Sequence, residues 1–306
     1  MTLDEFHQRV TKLKVWRRGG RRAPHKPLLL LLAMGWAVRG RDRLVSFRDI
    51  ESELVGLLRH FGTPRSPRPV YPFSHLETEL WEVPEASSLT TTSGGDFHIK
   101  ELRERGITGG LPEPLFRELA DNPGRALSEA RWILDQHFPA SMHRHILEAV
   151  GLWGVPEVEE RVPPRPRRDP HFREAVLTAY ERRCAVCDFD LRLRDDLLGL
   201  EAAHIQWHSH GGPDQVANGL ALCTFHHGAF DRGAIGLAKA EEESDYRLVV
   251  SQEVHGLSPA VRWLLDYHDR PIRPPQQGTG KPADRYVEWH TGQVFRAPPR
   301  GRTRTP

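Results

Sequence analysis

The stretch GLEAAHIQWHSHGGPDQVANGLALCTFHHGAFDRG, residues 199–233, is the most informative part of this 306-residue chain. Residues 197–205 predict a strand that ends near His204, and residues 219–223 predict a second strand that leads into a helix. The glycines and the proline between the two strands predict a turn. This strand, turn, strand and helix would carry the chemically active residues of the segment.

Three polar residues of this stretch have the side chains that phosphodiester hydrolysis needs. His204 ends the first strand, Asn218 follows 14 residues later in the turn, and His227 follows nine residues after that on the helix. Hydrolysis requires a base for the attacking water and a cation that stabilises the phosphorane and the leaving oxygen. One histidine can be the base, the other can hold a divalent ion, and the asparagine can fix the turn. The alternative for each residue taken singly is an ordinary polar residue of the core without a catalytic role.

All three cysteines of the chain lie near these residues, at spacings typical of metal sites. Cys184 and Cys187 form a C-x-x-C pair, and Cys223 and His226 form a C-x-x-H pair on the first turn of the predicted helix. Residues three apart on a helix share a face, so the second pair can bind one ion. We therefore expect structural zinc rather than three free buried cysteines or a disulfide. His227 points about 100° away from His226 and belongs to the other site.

The charge pattern favours a polyanionic partner. The net charge is only +2, but residues 11–26 contain seven Lys or Arg and no acidic residue, and residues 161–168 and 296–304 are rich in arginine. Segregated positive charge favours nucleic acid, with solvated arms as the alternative. No apolar stretch is long enough to cross a bilayer and no signal peptide is visible, so we expect a cytoplasmic protein without a membrane partner.

A segment rich in proline and charge, residues 157–170, divides the chain into two regions. It has no periodic apolar pattern and predicts a linker. We therefore expect one domain over residues 1–156, a second over residues 171–297, and a basic, disordered tail over residues 298–306.

The apolar periodicity predicts an α+β fold in which the first domain is mostly helical with a few short strands. The leucines after Pro27 predict a buried helix, residues 47–61 predict an amphipathic helix, and residues 70–83 have a strand-like pattern. In the second domain, residues 170–182 predict a helix and residues 286–295 have the form strand, turn, strand. Short strands are also expected at residues 44–47, 235–238 and 246–251.

Residues 183–233 resemble the HNH, or ββα-metal, nucleases. The resemblance implies that His204 is the general base, that Asn218 is the central asparagine, and that His227 binds the catalytic metal, which would be Mn²⁺, Mg²⁺ or Co²⁺. The fold implied for this domain is the HNH ββα-metal fold with structural zinc.

One position departs from the HNH pattern. Many members have an acidic metal ligand directly before the base, where this chain has Ala203. We therefore expect His227 to hold the ion together with phosphate oxygens and water. Glu201 is a weaker ligand candidate because it is out of phase with His204 on the strand. Asp231, one helical turn after His227, could support that histidine or simply pack. Two loop histidines, His208 and His210, are expected to be solvated.

Three further segments extend the resemblance over nearly all of the chain. They are PHKPLLLLLA (residues 24–33), YPFSHLETELWEVP (residues 71–84) and YVEWHTGQVFR (residues 286–296). With them the chain resembles the phosphorothioate-dependent restriction endonucleases of the McrA type, in which a sulfur-binding domain precedes the HNH domain. The resemblance implies a type IV-like restriction endonuclease that binds double-stranded DNA carrying phosphorothioate linkages and cuts near them.

The resemblance also implies where sulfur binds. A Tyr-Pro pair, here Tyr71 and Pro72, and the residue three beyond the proline, here His75, would form the sulfur pocket. An apolar pocket favours sulfur because a buried oxygen forfeits stronger hydration, and His75 stands where a smaller residue would leave a more apolar pocket. Without the resemblance, the same segment is typical of the core of a strand pair. Contacts to flanking phosphates or bases are expected from His25, Lys26, Arg21 and Arg22.

Two other functions remain open at this stage. The first is an HNH restriction enzyme that reads another modification, such as a methylated base flipped into a pocket. The second is a zinc-stabilised DNA-binding protein with an inactive nuclease fold. Ala203 supports this alternative because it replaces an acidic metal ligand. A homodimer is plausible for an enzyme that cuts both strands, because two cuts usually need two nuclease centres.

Overall fold

The structure, a computed structural model, describes Val10 and residues 24–76, 78, 80–156, 170–240 and 246–301. The chain divides into two compact units, Met1–Arg165 and Pro166–Pro306, and each is considered by itself. Arg21, Arg22, residues 157–169 of the expected linker and residues 302–306 of the expected tail lie outside the described residues. None of the helices found in the described ranges has the length and apolarity to cross a bilayer.

The N-terminal unit is built around one apolar helix, α1 (His25–Val38), in which every residue from Lys26 to Ala37 is buried. A helix that is apolar all round must be covered on all sides by other elements. One neighbour approaches so closely that a Cβ at Gly35 would lie 1.8 Å from the Val150 carbonyl oxygen. The helices that pack on α1 are α2 (Phe47–Phe61), α3 (Val70–His75), α5 (Glu113–Asp121), α6 (Pro123–His137) and α7 (Ala140–Val150).

Helix α3 corrects the strand-like prediction for residues 70–83. Pro69 and Pro72 lie at its start, where missing N–H groups cost little, whereas a proline in a strand removes a ladder hydrogen bond. Within residues 80–83, Glu82 alone pairs, in an isolated bridge to Gly110. The unit also contains α4 (Ile99–Glu104) and an antiparallel pair of short strands, β1 (Val45–Ser46) and β2 (Thr108–Gly109).

The C-terminal unit contains the predicted strand, turn, strand and helix. Strand β5 (Leu200–His204) pairs antiparallel with β6 (Gly219–Cys223), and the register sets His204 opposite Gly219. Helix α9 (Thr224–Asp231) follows β6 directly and packs on both strands. The other elements of the unit are α8 (Pro170–Ala179), β3 (Arg192–Leu193), β4 (Asp196–Leu197), β7 (Ile235–Lys239), β8 (Tyr246–Val250) and α10 (Pro259–Leu265).

Residues 284–293 form a helix, α11 (Asp284–Gln293), and not the predicted strand, turn, strand. Its buried residues Tyr286, Val287, Trp289 and His290 follow the spacing of a helix face, which packs against β7. The turn in that prediction rests on Thr291 and Gly292, but a glycine is tolerated in the last turn of a helix.

The start of the expected tail is also ordered. The Arg300 amide donates to the Val250 carbonyl at 2.8 Å, and Pro299 bridges to Ser251. Residues 298–301 therefore belong to the folded unit, because backbone hydrogen bonds attach them to the end of β8.

Candidate active site and metal centre

Four soft or borderline ligands meet where the loop before β3 approaches α9. One ligand atom from each of Cys184, Cys187, Cys223 and His226 lies within 4.8 Å of all the others. The Nδ1 atom of His226 is 3.2 Å from the Cys223 sulfur and 3.6 Å from the Cys184 sulfur. Three sulfurs and one imidazole at this separation could hold a metal ion in a closed tetrahedral site.

Electrostatics within this Cys3His cluster favour thiolate beside imidazolium. Hydrogen bonds from Cys187 and Cys223 lower the pKa of Cys184 well below its usual range. Burial alone would lower the pKa of His226, but hydrogen bonds to the sulfurs of Cys184 and Cys223 raise it to about 9. A cation bound among these groups would replace the histidine proton as the partner of the negative sulfurs.

The second predicted histidine of the helix, His227, lies in a different environment. Its Nδ1 atom is 2.5 Å from Glu201 Oε2, and its Nε2 atom is 3.2 Å from Asp231 Oδ2. Burial alone would lower the pKa of His227, but the charges of Asp231 and Glu201 outweigh burial and raise the pKa to about 10. Glu201 and Asp231 contact opposite nitrogens of the ring, so at most one of the two carboxylates could share a cation with His227, and an imidazole beside a carboxylate is a donor pair that suits Mn²⁺.

Glu201 is therefore more prominent in the structure than in the sequence. Its phase relative to His204 made it a weak candidate, but His227 comes from α9 and meets the strand from another direction. The period of two along a strand could have identified Glu201 as a ligand candidate, because it places Glu201 on the same face of the strand as Ala203. Ala203 occupies the position where many HNH nucleases have their acidic ligand.

Asn218 is completely buried and ties together the two ends of the turn between β5 and β6. Its Oδ1 atom accepts from the Gln206 amide at 2.8 Å, and its Nδ2 atom donates to the carbonyls of Gln206 and Pro213 at 3.0 and 3.1 Å. Gly212 leaves space for these bonds, since a Cβ there would lie 1.8 Å from the Gln206 carbonyl oxygen. The Asn218 side chain therefore joins the backbone of Gln206 to that of Pro213.

His204 stands at the end of β5, with its side chain 11% exposed. Phe172 of α8 stacks on the imidazole ring at 4.1 Å between centroids. The Nε2 atom is 2.7 Å from Asp214 Oδ1. Asp214 is not part of any motif in the sequence, although it directly follows the Gly-Gly-Pro of the predicted turn.

The two other histidines of the turn differ from each other. His208 is exposed, as expected of a solvated residue, and its ring centroid lies 5.9 Å from that of His204. His210 is half-buried and packs against Trp207 and Trp289, so the expectation of a solvated side chain fails there. Burial against two indole rings makes His210 part of the support for the turn.

In the N-terminal unit, α3 displays Tyr71 and His75 on one face, four residues apart. Their ring centroids are 5.0 Å apart, and His25 approaches Tyr71 at 6.0 Å. Asp96 accepts from His75 Nε2 at 3.0 Å and from Arg68 at 2.7 Å. The structure thus brings His25, Tyr71 and His75 together and adds a charged pair that the sequence reasoning missed.

The remaining N-terminal candidates are less accessible. Pro72 is a buried residue of α3, and Lys26 is buried with α1 and is only 5% exposed.

Comparison with protein families gives two matches. The model for the ScoMcrA-like DNA sulfur-binding domain matches residues 3–155, and the model for HNH endonucleases matches residues 184–238. The second match contains the Cys3His cluster, His204, Asn218 and His227. Comparison with curated protein sequences returns no match.

Solved structures give partial matches. The sulfur-binding domain of ScoMcrA complexed with phosphorothioated DNA is 31% identical, and the match covers 48% of this chain and 95% of that domain, with a TM-score of 0.43. The sulfur-binding domain of SprMcrA complexed with phosphorothioated DNA is 26% identical over 51% of this chain and 98% of that one, also with a TM-score of 0.43. The type IV phosphorothioation-dependent restriction endonuclease ScoMcrA is 29% identical, but the match covers only 35% of that enzyme and 54% of this chain, with a TM-score of 0.43.

Proposed function

Since this chain belongs to the ScoMcrA-like family, whose DNA sulfur-binding domain it shares, and is a DNA endonuclease of the HNH type, we propose that it restricts phosphorothioated DNA. In this proposal the first unit binds a phosphorothioate linkage in double-stranded DNA, and the second hydrolyses phosphodiester bonds nearby. The observation that carries the proposal is the presence of both domains, residues 3–155 and 184–238, on one chain.

The residues around β5 and α9 suit hydrolysis by an activated water. His204 would take the proton from the attacking water while the water oxygen forms a bond to phosphorus. One P–O ester bond breaks, and the departing oxygen takes its electron pair and then a proton from solvent. Asn218 would keep the turn in the shape that holds His204 at the end of its strand.

Glu201 and His227 would hold the catalytic divalent cation. The Glu201 side chain is 47% exposed, so a cation could reach its carboxylate, and to bind both groups it would replace the proton shared with His227 Nδ1 and separate the two atoms, which lie 2.5 Å apart. Asp231 is nearly completely buried and would hold Nε2 of the same imidazole, as carboxylates commonly do behind metal-binding histidines. When bound, Mn²⁺ or Mg²⁺ would stabilise the negative charge that develops on the phosphorane and the leaving oxygen.

The Cys3His cluster would hold structural zinc. Its four ligands would satisfy a tetrahedral ion without a position for substrate, in contrast to catalytic zinc sites. The adjacent residues His226 and His227 would thus serve two different ions.

Tyr71 and His75 would form the wall against which sulfur rests, with His25 beside them, and the buried Pro72 would support that wall from within the same helix. Sulfur is larger and less strongly hydrated than oxygen, so an aromatic wall costs a phosphorothioate less hydration than it costs a phosphate. His75 gives this wall a polar edge, and the ion pair of Asp96 with Arg68 would keep that edge in place.

The proposal is tested with two plasmids that differ only in phosphorothioation. Each is incubated with the full chain and Mn²⁺ or Mg²⁺, and the products are separated on a gel. Cleavage of the modified plasmid alone is expected. Equal cleavage of both plasmids would refute sulfur dependence and favour an enzyme for another modification, whereas a gel shift without cleavage would favour the DNA-binding protein with an inactive nuclease fold.

We also propose a homodimer, because cutting both strands usually needs two nuclease centres. Sedimentation equilibrium of the full chain with and without modified DNA tests this proposal. A mass of one chain per complex on DNA cut in both strands would exclude it.

A further inference from the structure

The turn between β5 and β6 contains an acidic residue, Asp214, that belongs neither to the proposed metal ligands nor to the Cys3His cluster. Asp214 Oδ1 lies 2.7 Å from His204 Nε2, and the two side chains are 18% and 11% exposed. We propose that Asp214 is a positioning residue that selects the tautomer of His204 and makes its Nδ1 atom the base. This inference rests on the proposed nuclease function, since it concerns the same histidine.

The chemistry of the carboxylate decides which ring nitrogen carries the proton. An ionised carboxylate only accepts hydrogen bonds, so the Nε2 atom of a neutral His204 must donate. The lone pair of the ring then lies on Nδ1, and Nδ1 is the nitrogen that can take a proton from water. Once it has done so, the imidazolium is stabilised by the carboxylate at 2.7 Å, as in a Ser-His-Asp triad.

Two contacts of different kinds define the direction of the ring. Phe172 covers one face of His204, with an interplanar angle of 17°, and Asp214 holds its edge. A flip of the ring would break the hydrogen bond to Asp214, and a tilt would break the stack on Phe172. Proton transfer is sensitive to such alignment, because the base must point at the proton that it removes.

The structure of the turn explains how Asp214 reaches His204. The Asn218 side chain donates to the carbonyl of Pro213, the residue directly before Asp214, and clamps it to the backbone of Gln206. Gly211, with a φ of +79°, and Gly212, which has no room for a Cβ, allow the chain to return so tightly. Asn218 therefore acts on His204 through Asp214.

The test compares cleavage by the full-length wild-type chain with Asp214→Asn and Asp214→Glu on phosphorothioated plasmid with Mn²⁺. We expect Asp214→Asn to lower kcat roughly 10- to 1000-fold with KM within twofold, less than the roughly 100- to 10,000-fold contribution of a general base itself, because the base remains but is misaligned. Asp214→Glu should recover part of kcat because it restores a carboxylate. Asp195→Asn, an exposed acid outside this turn, is the matched control and should keep kcat.

A spectroscopic signature separates positioning from a merely structural role. Two-bond ¹H–¹⁵N spectra of histidine-labelled protein report which ring nitrogen is protonated, and His204→Gln identifies the signal. Wild type should show the Nε2–H form of His204, and Asp214→Asn should lose it while zinc content stays unchanged. An unchanged kcat in Asp214→Asn, an effect on KM alone, or a persistent Nε2–H form would overturn the role of Asp214. Failure of the wild type to cut modified plasmid would instead overturn the proposed function.

Discussion

The carboxylate of Glu201 on β5 lies 2.5 Å from Nδ1 of His227 on α9. The two residues are 26 positions apart in the chain, and their contact joins the first strand of the ββα motif to its helix. The contact supplies an acid beside the proposed metal-binding histidine, although Ala203 occupies the usual position of that acid. The inactive-nuclease alternative, which rested on Ala203, is weakened accordingly.

Replacing Glu201 should therefore impair cleavage. We expect Glu201→Gln to lower the cleavage rate at limiting Mn²⁺ by roughly 10- to 100-fold, because the cation loses a negative ligand. Excess Mn²⁺ should restore part of the rate, and gel shifts with modified DNA should not change. Glu253→Gln, an exposed acid elsewhere in the unit, is the control. A rate equal to wild type at limiting Mn²⁺ would exclude Glu201 as a ligand.

Substitutions of the adjacent residues His226 and His227 should affect the structural zinc and the catalytic metal separately. His226→Ala should lower the zinc content measured by mass spectrometry and lower the thermal midpoint, because zinc binding contributes directly to folding. His227→Ala should keep the zinc but abolish cleavage, and it should also lower the midpoint because the buried Asp231 carboxylate loses its contact with the imidazole. If both variants lose zinc, the division of labour between the neighbours is wrong.

Metal activation should depend on pH through His227. Its raised pKa, about 10, means that Mn²⁺ must displace a proton at neutral pH. As pH rises towards that pKa, less displacement is needed, so the half-saturating Mn²⁺ concentration should fall by up to about tenfold per pH unit. Titrations of cleavage rate against Mn²⁺ at pH 6.5, 7.5 and 8.5 (about one unit apart) measure this slope. A concentration that does not change with pH would argue against binding through His227.

Gly212 should tolerate no side chain. A Cβ there would lie 1.8 Å from the Gln206 carbonyl oxygen and 2.8 Å from Asn218 Nδ2. Gly212→Ala must therefore distort the hydrogen bonds of the Asn218 side chain to Gln206 and Pro213. We expect a loss of roughly 1–3 kcal/mol in unfolding free energy, measured by denaturant melts, together with loss of cleavage. Gly292→Ala on α11, where no atom lies within 4 Å of the new Cβ, is the control. Wild-type activity in Gly212→Ala would show that the turn can adopt another shape.

Recognition of sulfur should depend on Tyr71. Tyr71→Ala should weaken binding to phosphorothioated duplex far more than binding to plain duplex, because an aromatic wall favours the less hydrated sulfur. Competition gel shifts with the two duplexes measure the ratio of affinities. His204→Ala should keep that ratio while cleavage is lost, which makes it the matched control. Equal loss on both duplexes would make Tyr71 a structural residue of α3.

Sequence pattern alone determined the elements whose periodicity is local and strong. The ligand spacings of Cys184, Cys187, Cys223 and His226 predicted a cluster that the structure does form, and the leucines after Pro27 predicted the buried α1. These signals are readable because neighbours in sequence share one helix face or one turn. Patterns of mixed period misled instead, as at residues 70–83 and 286–295, where helices formed.

Only the tertiary structure decided which carboxylate serves which histidine. Glu201 contacts His227 where strand β5 packs against helix α9. Asp214 contacts His204 in a turn that the Asn218 side chain holds by its hydrogen bond to the Pro213 carbonyl. Such contacts depend on register, on a glycine without space for a Cβ and on the direction from which a helix meets a strand. Spacing along the chain indicates the histidines and Asp231, one helical turn after His227, but only the fold identifies Glu201 and Asp214 as partners.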